Sequence, residues 1–367
     1  MSIGLGDMDD GVRDDASLLL ARAAARQGRA EQGLGHAIDD FLLPTEFRLD
    51  DRSRAALHAT LSAMVAAVEG DVRRHAARLL VARNEPELAE AIRAGDGVLD
   101  RLLGAHLLHE GELMRELLAR TRLDLLADTL PLTSPDDVST ASLLARLSIL
   151  ADNAVAGATV ALMAADIRRR GFRETGRLTL TELPAQLHYR LVWWVAAAIS
   201  QVTPPGDDHP AAISWAIGEA ALRAIAVHDD GDRLEAAAIR LATAIDAHAD
   251  ERPALLAEAL AARQIHLFVA VLAQGLAIDS TAIRDLVIDE DGDRLWLALR
   301  AIDLDRMTIA RIGLALAEAD PRRGVDRFAD LLDTIIGIPP EAARAVLAPL
   351  RLPADFRAAL AILGKAR

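Results

Sequence analysis

Beyond residue 14, apolar residues recur three and four positions apart along almost the whole chain, and alternating strand patterns are almost absent. That period is the signature of amphipathic helices. Leu57, Leu61, Met64, Val65 and Val68 form one such stripe, with Asp50 or Asp51 placed to cap the helix that carries it. Four short stretches, "LLPTEF" at Leu42, "ELPAQL" at Glu182, "GIPPEA" at Gly337 and "RLPADF" at Arg351, set a proline shortly before an acidic or amide residue. Proline loses nothing in a first helical turn, and acidic groups favour the positive end of the dipole, so each predicts a helix start. Turn formers and acids cluster in "PLTSPDDVST" (131–140) and "QVTPPGDDHP" (201–210). These breaks predict a disordered tail over 1–14, an N-terminal helical region over 15–130, a middle helical segment over 131–205 and C-terminal repeats over 206–367.

The last region repeats itself. "ALRAIAVHDDGDRL" from Ala221 and "AIRDLVIDEDGDRL" from Ala282 share seven of fourteen residues at an offset of 61. "LFVAVLAQGLAIDSTAIRDLV" from Leu267 resembles "RFADLLDTIIGIPPEAARAVL" from Arg327 at an offset of 60, with Phe268 and Phe328, Ile278 and Ile338, and Arg284 and Arg344 in register. A unit of roughly 60 residues whose apolar face is covered only by its neighbours implies stacked helical repeats. The predicted fold is all-α, as a HEAT-like helical-repeat solenoid or a stacked helical bundle.

Composition narrows the function. The formal charge of −14 argues against a phosphate-binding surface, so no nucleic-acid partner is expected. Arg168, Arg169 and Arg170 read as the solvated end of a helix. With no cysteine, thiolate metal sites, disulfides and cysteine nucleophiles are excluded. The start has no basic or apolar leader region, and uncharged stretches fall short of a bilayer span. A cytoplasmic protein with no membrane partner is the expectation.

Candidate chemistry is sparse. "HLLHE" puts His106 and His109 on one face of a helix beside Glu110, but the zincin order H-E-x-x-H is not matched and no third ligand is evident; no metal and no cofactor are expected. "HDDGDRL" (228–234) and "DEDGDRL" (289–295) fail the EF-hand register, which would start at Ala226 or Val287. Gly231 and Gly292 read as turn residues there, and Asp232 and Asp293 as N-caps. His75 on an arginine-rich helix is the candidate phosphoacceptor of a two-component-type reading, although the H-x-x-K-G pattern of histidine phosphotransfer domains is not matched. G-x-S-x-G, P-loop and dinucleotide G-x-G-x-x-G patterns are missing, and the chain reads as a non-enzyme.

Aromatic residues make up only 3% of the chain, yet "ELPAQLHYRLVWWVAAAIS" (182–200) holds its one tyrosine and two of its four tryptophans. Leu183, Leu187, Leu191, Trp194, Val195, Ala198 and Val202 line one stripe, predicted to face the core with Trp194 as its anchor. Gln186, Tyr189, Trp193, Ala196, Ala197 and Ser200 line another, with Tyr189 and Trp193 spaced to touch. A neighbouring helix of the same chain is the first expected cover for this second face. A partner or a homodimer is the second, and a small ligand the third.

"FRLDDRSRAALHATLSAMVAAVEGDVRRHAARLL" (47–80) resembles the N-terminal segment of an alphaproteobacterial family, domain of unknown function 2336, with its "Leu-(Ser/Asp)-x-x-x-Arg" helix start and "Val-Glu-x-x-(Val/Ala)-Arg" turn. "LPAQLHYRLVWWVAAAI" (183–199) is similar to a stretch in sphingomonad members. The resemblance implies a HEAT-like, all-helical cytoplasmic protein of no established activity, without catalytic residues to transfer; residues 130–176 depart from its repeats. The functional expectation is an interaction scaffold or regulator in bacterial signalling, using Gln186, Tyr189, Trp193 and Ala197. The alternatives are a phosphotransfer or kinase-interacting protein using His75, and a small-ligand sensor using the Tyr189/Trp193 face.

Overall fold

The computed structural model describes residues 50–131, 142–178, 180–202 and 210–365. The predicted tail over 1–14, the "LLPTEF" start and most of both turn-rich breaks lie outside the described residues. Among the described residues every regular element is helical, so the fold is all-α. None of these helices is long and apolar enough to cross a membrane.

Two compact units are present. The first contains the described residues of 37–121 and 163–236. Its long helix α1 (Asp51–Ala82) starts where Asp50 accepts hydrogen bonds from the Ser53 amide and hydroxyl, 2.9 and 2.6 Å away. The stripe Leu57, Leu61, Met64, Val65 and Val68 is buried, as its spacing requires. Helix α2 (Pro86–Ala94) packs on α1 and is pinned at its C-terminal end by Arg73 of α1, which donates to the carbonyls of Ile92 and Asp96. This guanidinium satisfies carbonyls that a helix end leaves without partners. Helix α3 (Leu99–Gly104), a 3-10 turn (Leu107–His109) and α4 (Gly111–Thr129) follow. After α5 (Leu143–Ser148), which belongs to the second unit, and α6 (Asn153–Thr175) come α7 (Ala185–Val202) and α8 (Pro210–Ala226). Helices α7 and α8 pack on each other and on α1.

The second unit contains the described residues of 122–162 and 237–367. Its C-terminal part runs through α10 (Arg252–Ala261), α11 (Ile265–Leu276), α12 (Ser280–Ile288), α13 (Asp293–Ala301), α14 (Arg306–Ala319), α15 (Val325–Gly337), α16 (Pro340–Leu347) and α17 (Ala354–Lys365); α9 (Leu234–Ile245) precedes them. Phe268 and Phe328 are both buried, as are Ile278 and Ile338. Asp279 and Asp305 cap α12 and α14 by accepting from the Thr281 and Thr308 amides.

The two "DGDRL" turns differ. Gly292 takes the left-handed conformation at φ 70° and is itself the cap residue of α13, whereas Asp230–Asp232 form a 3-10 turn with Asp229 accepting from the Gly231 amide. Asp232 and Asp293 are therefore not the N-caps that the sequence predicts. Asp293 sits inside the first turn, buried, 3.4 Å from Arg327. Asp289, Glu290 and Asp291 face Arg294, Arg322 and Arg327 at 3.2, 2.5 and 2.8 Å. The acidic loop is thus already neutralised by guanidinium groups.

Close approach of α14 and α15 depends on Gly313. A Cβ at that position would overlap the ring of Phe328, whose other neighbour is the Trp296 ring at a centroid distance of 4.6 Å. Gly313→Ala is expected to destabilise the protein by about 1–3 kcal/mol through overpacking, read as a lower urea midpoint at unchanged slope.

Candidate functional site: the tryptophan helix and its buried clamp

Of the predicted core stripe, Leu183 just before α7 and Leu187, Leu191, Val195 and Ala198 within it are buried, and the side chain of Val202 lies outside the described ones. Trp194 is only partly buried, so it is not the core anchor that the sequence suggests. Val192 and Ile199 are fully buried instead, because α1 and α8 together cover a wider arc than one stripe.

The opposite face stays open. Gln186, Tyr189, Ala197 and Ser200 are exposed, Tyr189 at 48%, and Trp193 is partly exposed. Among the described residues no helix covers Gln186, Tyr189, Ala197 and Ser200, whereas Ala196 turns inward. Tyr189 and Trp193 meet edge to face, with centroids 6.3 Å apart and planes at 70°. This geometry suits the quadrupoles of two aromatic rings. Arg190 lies on the same side and pairs with Glu110 and Glu112 at 2.9 and 2.7 Å. Further along, Arg101 reaches the Gln201 side chain at 3.3 Å. An aromatic centre with a charged, hydrogen-bonded rim results.

Beneath the start of α7 lies a polar cluster that the sequence did not reveal. Arg169 is buried, with Nε 2.6 Å from Glu182 and Nη2 3.0 Å from Glu235. Arg120, also buried, approaches Glu182 at 3.4 Å and donates to the Thr181 carbonyl at 2.9 Å. Arg169 is therefore not part of a solvated helix end. It shares a buried stripe with Leu162, Ala165 and Phe172, all three to four residues apart, and that spacing was the available signal. Glu182 holds a left-handed backbone at φ 52°, an unusual conformation for a residue with a Cβ.

Two histidines complete the clamp. His188 and His228 stack with centroids 4.0 Å apart and planes at 11°. His188 Nε2 faces the Ala224 carbonyl at 3.3 Å, so it carries the proton, and Nδ1 accepts from the Thr181 hydroxyl at 2.9 Å. His228 Nε2 donates to the Leu183 carbonyl at 2.8 Å. Burial, and next the adjacent His228, lower the His188 pKa to about 4, against the weaker pull of Asp230 and Asp71. Both rings act here as hydrogen-bonding struts that fix the start of α7 to the end of α8.

His75 lies part-buried on α1, with Nδ1 accepting from Arg223 at 2.8 Å. Burial and then Arg223 lower its pKa. A neutral ring that accepts at Nδ1 keeps its proton on Nε2, which leaves no nitrogen lone pair free for a phosphoryl group in this arrangement. His106 and His109 do not share a helix face: His106 is left-handed at φ 58°, and His109 sits in the following 3-10 turn. Their rings nevertheless touch, at 3.1 Å between Nδ1 atoms. Burial, then His106, lowers the His109 pKa. Among the described residues no three potential metal-binding side chains stand close enough to hold an ion.

Residues 176–348 match the family model described as an uncharacterised protein conserved in bacteria, DUF2336. No curated protein and no solved structure matches the chain. The matched stretch contains the tryptophan helix and the clamp residues Thr181, Glu182, His188, His228 and Glu235, but not the stretch 47–80 in which the sequence also resembles this family. Arg120 and Arg169, which complete the clamp, lie before it.

Proposed function

We propose that this is a non-enzymatic helical-repeat protein that binds a partner protein through the face formed by Gln186, Tyr189, Arg190, Trp193 and Ala197. The supporting observation is the exposed Tyr189 against the partly exposed Trp193 in a chain with so few aromatic residues, carried on a helix that is clamped from beneath. Tyrosine, tryptophan and arginine are the residue types enriched at interface hot spots, and a rigid support lowers the entropy lost on docking. The bacterial occurrence of DUF2336 fits a role in bacterial signalling or regulation, exercised in the cytoplasm. A phosphotransfer role for His75 is the weaker reading because its Nδ1 is engaged by Arg223.

The double variant Tyr189→Ala/Trp193→Ala is expected to weaken capture of the native partner at least tenfold while leaving the helical circular dichroism unchanged. Immobilised wild-type and variant chains, exposed to extract of the native cells, report this by quantitative mass spectrometry. Equal recovery of every specific partner by both chains would count against the proposed face. Turnover of a metabolite by the purified protein would count against a non-enzyme.

A further inference from the structure

Helix α17 of the second unit is almost uncovered. It packs on the 3-10 turn Ala348–Arg351, and every residue from Ala354 to Gly364 is exposed except Arg357. Arg357 turns back and donates to the Leu350 and Leu352 carbonyls at 2.9 and 3.5 Å. Phe356, Leu360 and Leu363, four and three positions apart, form one apolar stripe, 51, 49 and 65% exposed, with Ile362 beside it at 69%. A helix of 12 residues with its apolar face in water is marginal. Its counterpart is covered. Helix α13 starts 61 residues earlier, the offset that relates "ALRAIAVHDDGDRL" to "AIRDLVIDEDGDRL". In that register Leu295, Ala298 and Leu299 correspond to Phe356, Ala359 and Leu360, and all three are fully buried. Helix α16 packs along α13, whereas among the described residues no helix covers the α17 stripe.

We propose that a second copy of this chain covers α17 with its own α17, in an isologous two-fold pair. The composition of the face selects this occupant. Between residues 354 and 364 the only charged groups are Asp355 and Arg357, and Arg357 is engaged within the chain. Depletion of charge marks homodimeric interfaces, whereas the face around Tyr189 and Trp193 has the charged rim of an exchangeable one. With Leu352, 41% exposed just before the helix, the stripe and Ile362 leave roughly 500 Å² of apolar surface per chain. Pairing two copies removes on the order of 1,000 Å² from water, the lower bound for a specific interface. Two α17 helices related by a two-fold axis run antiparallel, which sets Phe356 of one copy near Leu363 of the other, with Ala359 and Leu360 at the axis. Such a contact is self-complementary and closes at two copies.

The test is analytical ultracentrifugation of the full chain at micromolar concentration. A reversible dimer is expected, and Phe356→Glu/Leu360→Glu should weaken it at least tenfold. These positions are exposed in the single chain, so circular dichroism should show the variant folded. Tyr189→Ala/Trp193→Ala should leave the dimer intact, which separates this surface from the proposed partner face. Because the chain has no cysteine, Ala359→Cys supplies a single thiol beside the axis, and mild oxidation should link two copies through it. A wild-type chain that stays monomeric would overturn the proposal, as would a dimer that persists unchanged in the folded glutamate variant. A dimer that yields no disulfide at position 359 would overturn the two-fold α17 pairing.

Discussion

Replacing Glu182 with alanine is expected to destabilise the protein by about 3–5 kcal/mol, the loss typical when one member of a buried ion pair is removed. The carboxylate is buried and lies between two guanidinium groups, Arg169 at 2.6 Å and Arg120 at 3.4 Å. Without it, Arg169 keeps Glu235 at 3.0 Å and Arg120 keeps the Thr181 carbonyl at 2.9 Å, but two buried guanidinium groups lose the carboxylate between them. Urea unfolding measures the loss directly. A change below about 1 kcal/mol would mean that the charges are solvated in solution and that no buried clamp exists. Relief of the left-handed backbone by Glu182→Gly offers no escape, since the same carboxylate is removed.

Acid should also loosen this unit, between defined limits. His188 has a folded-state pKa of about 4 against an ordinary value of 6.5, so the unfolded chain binds the proton more readily. Its contribution is fully present above pH 6.5, is lost as pH falls from 6.5 to 4, and changes no further below that. A difference of this size corresponds to roughly 3 kcal/mol. Unfolding free energies measured from pH 7.5 to 4 should therefore fall in the wild type, and the slope should flatten in His188→Gln. An identical slope in both proteins would assign the acid sensitivity to other groups. The physical cause is burial of the His188 ring and, next, the stacked His228 ring beside it, which together leave a second proton no favourable place.

What was legible in the sequence was local. The stripe from Leu57 to Val68, a cap at Asp50 or Asp51 and the all-helical fold follow from periods and turn chemistry; the structure has the stripe and helical elements among the described residues, and places the cap at Asp50. The candidate face was also legible as a face: Gln186, Tyr189, Trp193 and Ala197 do lie on one side of α7. Its cover was not, because period gives the side of a helix but not what packs against that side. Trp194 shows the same limit, being partly exposed where its stripe suggested a core anchor. The clamp was hidden for a different reason. Arg120, Arg169, Glu182 and Glu235 are 13 to 115 residues apart in the chain, and each looks like an ordinary surface charge until the helices bring them together. Only the position of Arg169 on an apolar stripe signalled burial in advance.

The central claim, that the Tyr189/Trp193 face is a binding surface, is tested most directly by site-specific photo-crosslinking in the native cells. A photoreactive residue at Ala197, on the face, is compared with one at Leu222, which is 51% exposed on α8. A discrete protein adduct from position 197, suppressed by Trp193→Ala, with none from position 222, is the predicted result. Adducts of equal yield at both positions, or none at 197, would contradict it.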